Sequence, residues 1–253
     1  MAEFRNVTIA TGAVDETDSL RQTVLTVLDV CDHKDISEIL ICCAKHISPQ
    51  CQRVVDELTS MKTDVPVIAF TQKRNKLGAV VDCIERAEGS HCIFTDSDLA
   101  LDLTCVAEMI KKAKKSPDTI VSSSRWLEGC TFVEYGRLKK LLNFIAQRFL
   151  GILFSASLTD FTNPFQIAPT VLYKSIEWEN EGFPIFIEMV LKPLRLGYKF
   201  SEVPTNCYPR KQGESKNSFM QTAMYLKTAL HIRFMKKKNI LKKDSLLYKK
   251  MFG

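Results

Sequence analysis

The feature that most constrains the fold of this chain is the regular alternation of short apolar runs and helical patterns through its first half. Between the apolar runs, hydrophobic residues recur every three or four positions, which predicts amphipathic helices. This alternation favours a mostly parallel sheet with helices on both faces, an α/β fold. The predicted strands cover residues 7–10, 38–43, 65–69, 91–95 and 119–122.

The second half of the chain is less regular. A long amphipathic helix is predicted over 135–153, and a helix from 184 is expected to end at Pro193, because proline lacks the amide hydrogen that continues a helix. We predict one large domain over 1–218 and a basic, amphipathic C-terminal segment over 219–253. The final helix carries an apolar stripe made of Phe219, Ala223, Leu226, Leu230 and Phe234. The other predicted elements are loops at 160–166 and 210–218 and a strand at 200–203.

Composition is that of a globular protein, with 253 residues of which 45% are hydrophobic and 25% charged. None of the nine cysteines is in a Cys-x-x-Cys pair, and several lie in apolar runs (Cys42, Cys43, Cys83, Cys92). This usage indicates reduced core residues of a cytosolic protein, and neither a disulfide framework nor a zinc site. We expect no signal segment and no membrane span, since no apolar run reaches about 18 residues.

Positive charge is concentrated at the C-terminal end of the chain, within a net charge of +6. Beyond Arg233 the sequence has seven lysines, which only Asp244 opposes. Such a tail attracts the phosphates of lipids or of nucleic acid, or simply solubilises the end of the chain. Few aromatic residues that could stack on bases lie there, Phe234 and Tyr248 among them, so we expect no nucleic-acid partner. We expect a cytoplasmic protein, with peripheral contact to the cytoplasmic face of a membrane as an extension of that prediction.

Asp96-Ser97-Asp98 follows the predicted strand at 91–95 and is the most informative motif. Residues two positions apart on a strand point to one side, and two carboxylates placed so repel each other unless a cation lies between them. Carboxylate oxygens suit Mg²⁺ or Mn²⁺, which commonly bridge to substrate phosphates. At the carboxyl end of a strand, this predicts a nucleotide-diphosphate site. The alternative is a solvated strand end, with Asp98 or Asp102 capping the next helix.

The order of motifs from about residue 6 to about residue 219 resembles family-two inverting glycosyltransferases of the GT-A fold, nearest the dolichol-phosphate mannose synthase-like branch. Each motif is weak alone, and the resemblance depends on their order and spacing. The motifs are Asp15-Glu16, Asn75-x-x-Gly78-Ala79, Asp96-Ser97-Asp98, Ser124-Arg125, Asp160-x-Thr162-Asn163-x-Phe165, Leu196-Gly197-Tyr198 with Glu202-Val203-Pro204, and Gly213-Glu214-Ser215-Lys216.

The resemblance implies a single mostly parallel sheet flanked by helices, and a nucleotide-sugar donor site. It implies that Asp15 and Glu16 hold the base and ribose, and that the segment from Asn75 to Gly78 lets the backbone pass close to the ligand, although ordinary helix capping explains that segment equally well. Ser97 belongs to the same donor site. It further implies that Asp96 and Asp98 hold Mn²⁺ or Mg²⁺, which offsets charge on the leaving diphosphate.

Two departures from the family pattern affect this donor site. Related members can carry a polar metal ligand two positions after the second aspartate, where this chain has Ala100. Many members also end the second strand in paired aspartates that bind the nucleotide base, whereas residues 39–45 here contain no carboxylate. The nucleotide and the sugar are therefore not predicted.

The acceptor side is implied by a second group of residues. Arg125 suits bidentate phosphate binding. Arg210, Ser215 and Lys216 lie in a basic loop that closes over donor and acceptor phosphates in the resembling family. Asp160 faces the sugar there: it would be the general base for a hydroxyl acceptor, whereas a phosphate acceptor needs no base. Glu188 is a second candidate base, although a structural carboxylate is the favoured interpretation.

These observations predict an enzyme that transfers a sugar from a nucleotide sugar to an acceptor, with inversion, and the acceptor favoured is a polyprenyl phosphate. One alternative is transfer to a saccharide or glycolipid with Asp160 as base. Another is a non-catalytic binding module on the same scaffold, which the two departures at the donor site would favour. The oligomeric state is not predicted.

Overall fold

A computed structural model describes residues 3–74, 78–134, 136–180, 182–209 and 219–253, with the side chains of the last range described from Ala223 onward. Over these residues seven strands form one sheet in the order β3-β2-β1-β4-β6-β5-β7. The strands are β1 (Val7–Ala13), β2 (Ile36–Cys43), β3 (Val67–Thr71), β4 (His91–Thr95), β5 (Ile120–Ser124), β6 (Gln166–Pro169) and β7 (Phe200–Pro204).

Nine α-helices in the described ranges connect and cover these strands. They are α1 (Asp18–Val30), α2 (Pro49–Ser60), α3 (Ala79–Arg86), α4 (Val106–Lys115), α5 (Arg137–Phe154), α6 (Thr170–Ser175), α7 (Pro184–Leu196), α8 (Phe219–Phe234) and α9 (Leu246–Phe252). The predicted alternation of the first half is confirmed, and the third strand begins two residues later than predicted. Helix α2 begins with proline, and the hydroxyl of Ser48 accepts a hydrogen bond from the amide of Cys51.

Strand pairing brings the ends of β1, β4 and β5 to one edge of the sheet. Strand β1 pairs in parallel with β2 and β4, with Thr11 opposite Thr95. Strand β6 was not predicted, and only its first residue, Gln166, falls in the predicted loop at 160–166. It is antiparallel to both β4 and β5 and lies between them. The carboxyl ends of β4 and β5 therefore face the same way, roughly 10 Å apart if two ordinary strand spacings separate them.

Helix α7 does not end at Pro193 as predicted, but continues to Leu196. Pro193 lies in the last turn, so its missing amide leaves one carbonyl, that of Met189, without its helical partner. The hydroxyl of Tyr173 donates to that carbonyl at 3.4 Å. The helix ends instead at Gly197, which has a φ of 96°, a left-handed conformation that glycine adopts without a Cβ clash.

The core lies on both faces of the sheet and continues into a third apolar cluster between α5, α7 and α8. All nine cysteines are free and seven of them are buried, as their positions in apolar runs predicted. Helix α3 ends at Arg86. Within the described ranges, no helix combines the length and the apolarity that crossing a bilayer requires.

Helices α5 and α8 differ from the other helices in what they bury. Only Gln147 and Leu150 of α5 are buried. The predicted stripe of α8 faces solvent at Leu226 and along the rest of its described length, whereas Ala229 and Ile232 on the other side pack against α7. The pattern was correctly predicted, but it marks the outer side of the helix.

Candidate functional site

The Asp96-Ser97-Asp98 motif lies in the turn that follows β4, because the strand ends at Thr95. Ser97 is buried, and its hydroxyl donates to the carbonyl of Gly12 at 2.7 Å, which joins this turn to β1. Asp96 is exposed and Asp98 half-buried. An oxygen of Asp98 accepts the amide hydrogen of Ala100 at 2.9 Å, and Leu99 between them has a φ of 55°. Left-handed backbone at a bulky residue is strained and concentrates at functional sites.

The donor set of this turn fits a divalent cation. Asp96 and Asp98 offer hard carboxylate oxygens at the carboxyl edge of the sheet, and Ala100 adds no side-chain ligand. Within the described ranges, this turn included, no three or more His, Cys, Asp or Glu side chains cluster in a way suited to a metal, so the protein offers two ligands here. Two protein carboxylates with phosphate oxygens and water completing the shell are an ordinary environment for Mg²⁺. Asp102, by contrast, accepts hydrogen bonds from the amide and hydroxyl of Thr104, the capping role foreseen as an alternative for it.

The other predicted donor-site residues surround this edge. After β1, a carboxylate oxygen of Glu16 accepts hydrogen bonds from the amides of Val14 and Asp15 at 2.7 and 3.1 Å, so this carboxylate shapes its own turn. Asp15 is exposed. Gly78 has ordinary helical φ at the start of α3, and a Cβ there would collide with the side chain of Arg74. Asn75 lies outside the described residues.

On the acceptor side, Arg125 follows β5 and is held by Asp160. Its Nε donates to Oδ2 of Asp160 at 2.7 Å and its Nη2 to Oδ1 at 2.8 Å, a bidentate pair. The Asp160 side chain is 0% exposed and that of Arg125 is 15% exposed. The accessible part of the pair therefore belongs to Arg125.

A second layer of polar residues holds this ion pair in place. Gln147 of α5 donates to Thr162 at 2.8 Å and accepts the amide hydrogen of Phe161 at 2.7 Å. Glu202 of β7 accepts hydrogen bonds from the amide and hydroxyl of Thr159 and from the amide of Asp160. Burial raises the pKa of Glu202, and the nearby Asp160 charge adds to this, while the bonds from Thr159 act in the opposite direction. The segment from 159 to 162 is thus fixed on both sides.

Sequence reasoning missed the roles of Gln147 and Glu202 in this layer. One signal was present for Gln147, a polar residue that interrupts the apolar stretch of the long helix. Glu202 belonged to a recognised motif, but nothing in the sequence connects it with Asp160.

Two further residues, which the sequence did not single out, lie between the donor and acceptor sides. The phenol of Tyr225 on α8 packs against the cluster that contains Phe161. Burial raises the pKa of Tyr225 to about 12, Asp96 contributes to the rise, and Arg125 opposes it. Cys207 interacts with the charges of Arg125, Asp160 and Asp98, and burial raises the pKa of its thiol. Both shifts favour the protonated forms of the phenol and the thiol.

A cluster of aromatic side chains begins at Trp126, the residue after Arg125. The ring of Trp126 lies 4.8 Å from that of Phe132 and 5.5 Å from that of Phe144 on α5. The ammonium group of Lys140 lies 4.6 Å from the centre of the Phe132 ring, and Arg148 lies over Phe144. These aromatic rings therefore connect the residue after Arg125 with α5, and the cationic groups of Lys140 and Arg148 lie against them.

The remaining predicted site residues are Glu188 and three residues of the basic loop. Arg210, Ser215 and Lys216 lie outside the described residues. Glu188 is fully buried and pairs with Lys192 at 2.8 Å, and it also accepts hydrogen bonds from the amide of Glu179 and from Asn180. This supports the structural interpretation of Glu188.

Comparison with solved structures shows that the fold is shared. A mycobacterial protein superposes with a TM-score of 0.69 at 15% identity, covering 92% of this chain and 76% of that one. Glucosyl-3-phosphoglycerate synthase from Mycobacterium tuberculosis, in complex with Mn²⁺, uridine diphosphate and phosphoglyceric acid, gives a TM-score of 0.66 at 13% identity, covering 92% and 80%. These likenesses establish the GT-A fold, as predicted.

Comparison of sequences identifies the family. An undecaprenyl-phosphate mannosyltransferase of Micrococcus luteus is 26% identical over 110 residues, which are 42% of this chain and 45% of that relative. The match thus spans less than half the length of the relative. The family model described as glycosyl transferase family 2 matches residues 8–174. That range includes the turn after β4 and the Arg125–Asp160 pair, and the chain belongs to glycosyl transferase family 2.

Proposed function

We propose that this chain transfers a sugar from a nucleotide-diphosphate sugar to the phosphate of a polyprenyl lipid, with inversion at the anomeric carbon. The observation that carries the proposal is the burial of Asp160 and its pairing with Arg125. Its two oxygens are engaged by Arg125 and its side chain has no exposed surface. A carboxylate placed in this way orients the guanidinium and is poorly placed to take a proton from an acceptor hydroxyl.

A phosphate acceptor removes the need for a base. A phosphate monoester is already anionic at neutral pH, so one of its oxygens can attack the anomeric carbon directly. The new C–O bond forms on the face opposite the leaving nucleoside diphosphate, whose C–O bond breaks with its electron pair. Arg125 holds the acceptor phosphate in line and screens the repulsion between it and the donor diphosphate.

The donor side is completed by the turn after β4. Asp96 and Asp98 would hold a divalent cation, Mn²⁺ or Mg²⁺, which supplies Lewis-acid stabilisation of the leaving diphosphate. The solved relative named above was crystallised with Mn²⁺ and uridine diphosphate. Tyr225 keeps its proton, which allows its hydroxyl to donate a hydrogen bond to a phosphate oxygen between the two sides.

The acceptor class has support beyond Arg125. The Micrococcus luteus relative is named for an undecaprenyl-phosphate acceptor. An acceptor of this kind resides in a membrane, and we propose that the chain acts in the cytoplasm as a peripheral protein on the cytoplasmic membrane face.

Transfer to a saccharide or glycolipid is the second candidate function, since Asp160 lies beside Arg125 at the sheet edge. It requires Asp160 to separate from Arg125 when substrates bind.

The two functions differ in the expected effect of Asp160→Asn on catalysis. If Asp160 positions Arg125, the variant raises the KM for the acceptor and leaves the pH profile of kcat unchanged. If Asp160 is the base, kcat falls by roughly 10²-fold or more and the limb of the pH profile that reports the base disappears.

The donor site is tested separately by calorimetric titration with UDP-, GDP- and CDP-sugars, with Mn²⁺ and with chelator. The proposal expects metal-dependent binding of one nucleotide class by the wild type and its loss in Asp98→Ala. No binding of any nucleotide sugar, with the fold intact by circular dichroism, would contradict the proposal and favour a binding module without catalysis.

A further inference from the structure

The outward face of α5 is apolar and exposed along four turns. Its residues recur at intervals of four and three positions, so they lie on one side of the helix, opposite the buried Gln147 and Leu150. Solvent reaches 69% of Leu138, 58% of Leu142, 54% of Ile145, 44% of Phe149 and 82% of Ile152. Contiguous apolar patches on monomeric proteins rarely exceed a few hundred Å², and larger ones mark interaction sites.

Helix α8, which contacts the C-terminal part of α5, also exposes apolar side chains. Its exposed apolar side chains are Leu226, Leu230 and Phe234, at 44%, 38% and 78%. The two helices are joined by a hydrogen bond from Nε of Arg233 to the carbonyl of Leu153 at 2.7 Å, and by packing of Leu150 in one cluster with Ala229 and Ile232. We refer to Leu138, Leu142, Ile145, Phe149 and Ile152 of α5 together with Leu226, Leu230 and Phe234 of α8 as the α5–α8 face.

The formal charges carried by α5 and α8 themselves have one sign, and the carboxylate nearest the α8 part of the face is that of Glu179, which lies beside Leu230 and Phe234 and pairs with His231. Neither helix contains an aspartate or a glutamate. Six cations lie on the two helices, namely Arg137, Lys139, Lys140, Arg148, Lys227 and Arg233. A helix with an apolar face and only basic charges at its flanks fits the surface of an anionic bilayer, where each basic residue near the headgroups adds attraction. A second copy of the same face would bring like charges together, which disfavours self-association.

The α5–α8 face is continuous with the acceptor side of the site. Trp126 follows Arg125 directly, and its ring packs at a tilt against that of Phe144, which belongs to α5. A bilayer in contact with α5 would thus lie beside the aromatic group next to the Arg125 guanidinium.

We propose that the α5–α8 face docks on the surface of an anionic lipid bilayer and thereby holds Arg125 at the level of lipid phosphates. Docking itself rests on the exposure and charge of the two helices. Only its consequence, delivery of a lipid-borne acceptor to Arg125, rests on the proposed function.

The test uses the full chain and sedimentation with sucrose-loaded vesicles of phosphatidylcholine, alone or with 30% phosphatidylglycerol. We expect binding at least about 10-fold tighter to the anionic vesicles, weakened by salt. Of the two tryptophans of the chain, Trp126 lies beside the face. Vesicles of brominated lipid should therefore quench its fluorescence, measured in a Trp178→Phe background.

Matched variants locate the contact. Ile145→Glu combined with Ile152→Glu should weaken vesicle binding at least about 10-fold, because it places two carboxylates on an apolar face that meets anionic lipid. Leu25→Glu is the control, since Leu25 is 43% exposed on the distant α1. It should leave vesicle binding unchanged.

Equal vesicle binding by the double variant and the wild type would overturn the proposal. So would a dimer in size-exclusion chromatography that the double variant dissociates, because the occupant of the face would then be a second copy. Failure of sugar transfer is a separate result: a chain that binds vesicles through this face but transfers no sugar retains the docking proposal and loses the proposed function.

Discussion

The two halves of the sheet edge are built in opposite ways. In the donor half, β1 to β4 and their helices bury continuous apolar runs, and the predicted metal ligands stand on the outer turn. In the acceptor half, an ion pair and Gln147 are buried, while leucines and isoleucines of α5 face outward. Burying charged and polar groups while exposing apolar side chains lowers stability in water, and proteins retain such arrangements at functional sites. We therefore explain the structure of the acceptor half by its contact with a ligand or a surface outside the chain.

The largest effect is expected in the donor half, from Asp98→Ala. Loss of a metal ligand should lower the rate of sugar transfer about 10³-fold, since stabilisation of the leaving group is worth several kcal/mol. Initial rates with labelled nucleotide sugar and Mn²⁺ measure this effect. Asp102→Ala is the control, because Asp102 only caps the turn at Thr104. It should cost about 1 kcal/mol of stability and leave the rate almost unchanged.

The next effect distinguishes the buried ion pair of the acceptor half from an ordinary surface pair. Arg125→Met leaves the carboxylate of Asp160 buried without its partner, and should lower the free energy of unfolding by about 3–5 kcal/mol. Lys114→Met, which breaks the surface pair with Asp35 at 2.7 Å, should cost less than about 1 kcal/mol. Urea unfolding measures both. Equal losses in the two variants would show that the acceptor pair is not held as described.

A pH effect is expected from β4 in the donor half. His91 is fully buried, and its Nε2 donates to the carbonyl of Pro117 at 2.8 Å, so the ring is neutral. Burial lowers the pKa of His91 below its ordinary value. The unfolded chain takes up the proton near pH 6.5 and the folded chain only at lower pH, so the stabilising contribution is complete above about pH 6.5 and is lost as the pH falls through the lowered pKa.

Urea unfolding at pH 7.5 and pH 5.5 checks this sign. The wild type should lose more stability between the two pH values than His91→Gln, which keeps an N–H for Pro117 but cannot titrate. His46→Gln, at an exposed position, is the control and should behave like the wild type. A larger acid loss in His91→Gln than in the wild type would contradict the assignment.

The smallest effect is expected on the outer side of α5. Ile145→Ser should change the free energy of unfolding by no more than about 0.5 kcal/mol, because the side chain is 54% exposed and is not part of the core. Leu20→Ala on α1, where the leucine is 0% exposed, should cost about 2–5 kcal/mol. A cost for Ile145→Ser close to that for Leu20→Ala would mean that the α5–α8 face is internal packing.

The donor half could be predicted from sequence because its signals are local. Strands buried on both faces form continuous apolar runs, and each helix buries one stripe, as Val106, Met109 and Ile110 do in α4. Strand β6 escaped prediction, since its four residues begin with Gln166 and end with a proline, and it exists through its antiparallel pairing with β4 and β5. The orientation of α8 was not predicted either. A periodic apolar stripe indicates a helix but does not say which side of that helix packs against the core.

The residues of the candidate site were predicted better than their arrangement. Asp96, Asp98, Arg125 and Asp160 were all named from motifs. The two aspartates were expected to point to one side as on a strand, whereas they lie in the turn after β4. That Arg125 and Asp160 bond across 35 positions, and that Glu202 reaches Thr159 across 43, are tertiary facts without a local signal.

The most direct test of the acceptor assignment compares two acceptors that differ by one group. The purified chain is incubated with Mn²⁺, each labelled nucleotide sugar in turn, and a short-chain polyprenyl phosphate or the polyprenol of the same length. Anionic attack without a base predicts a sugar-phosphate-linked product from the phosphate and none from the alcohol. Transfer to the alcohol or to a saccharide, with none to the phosphate, would contradict it and return Asp160 to the role of general base.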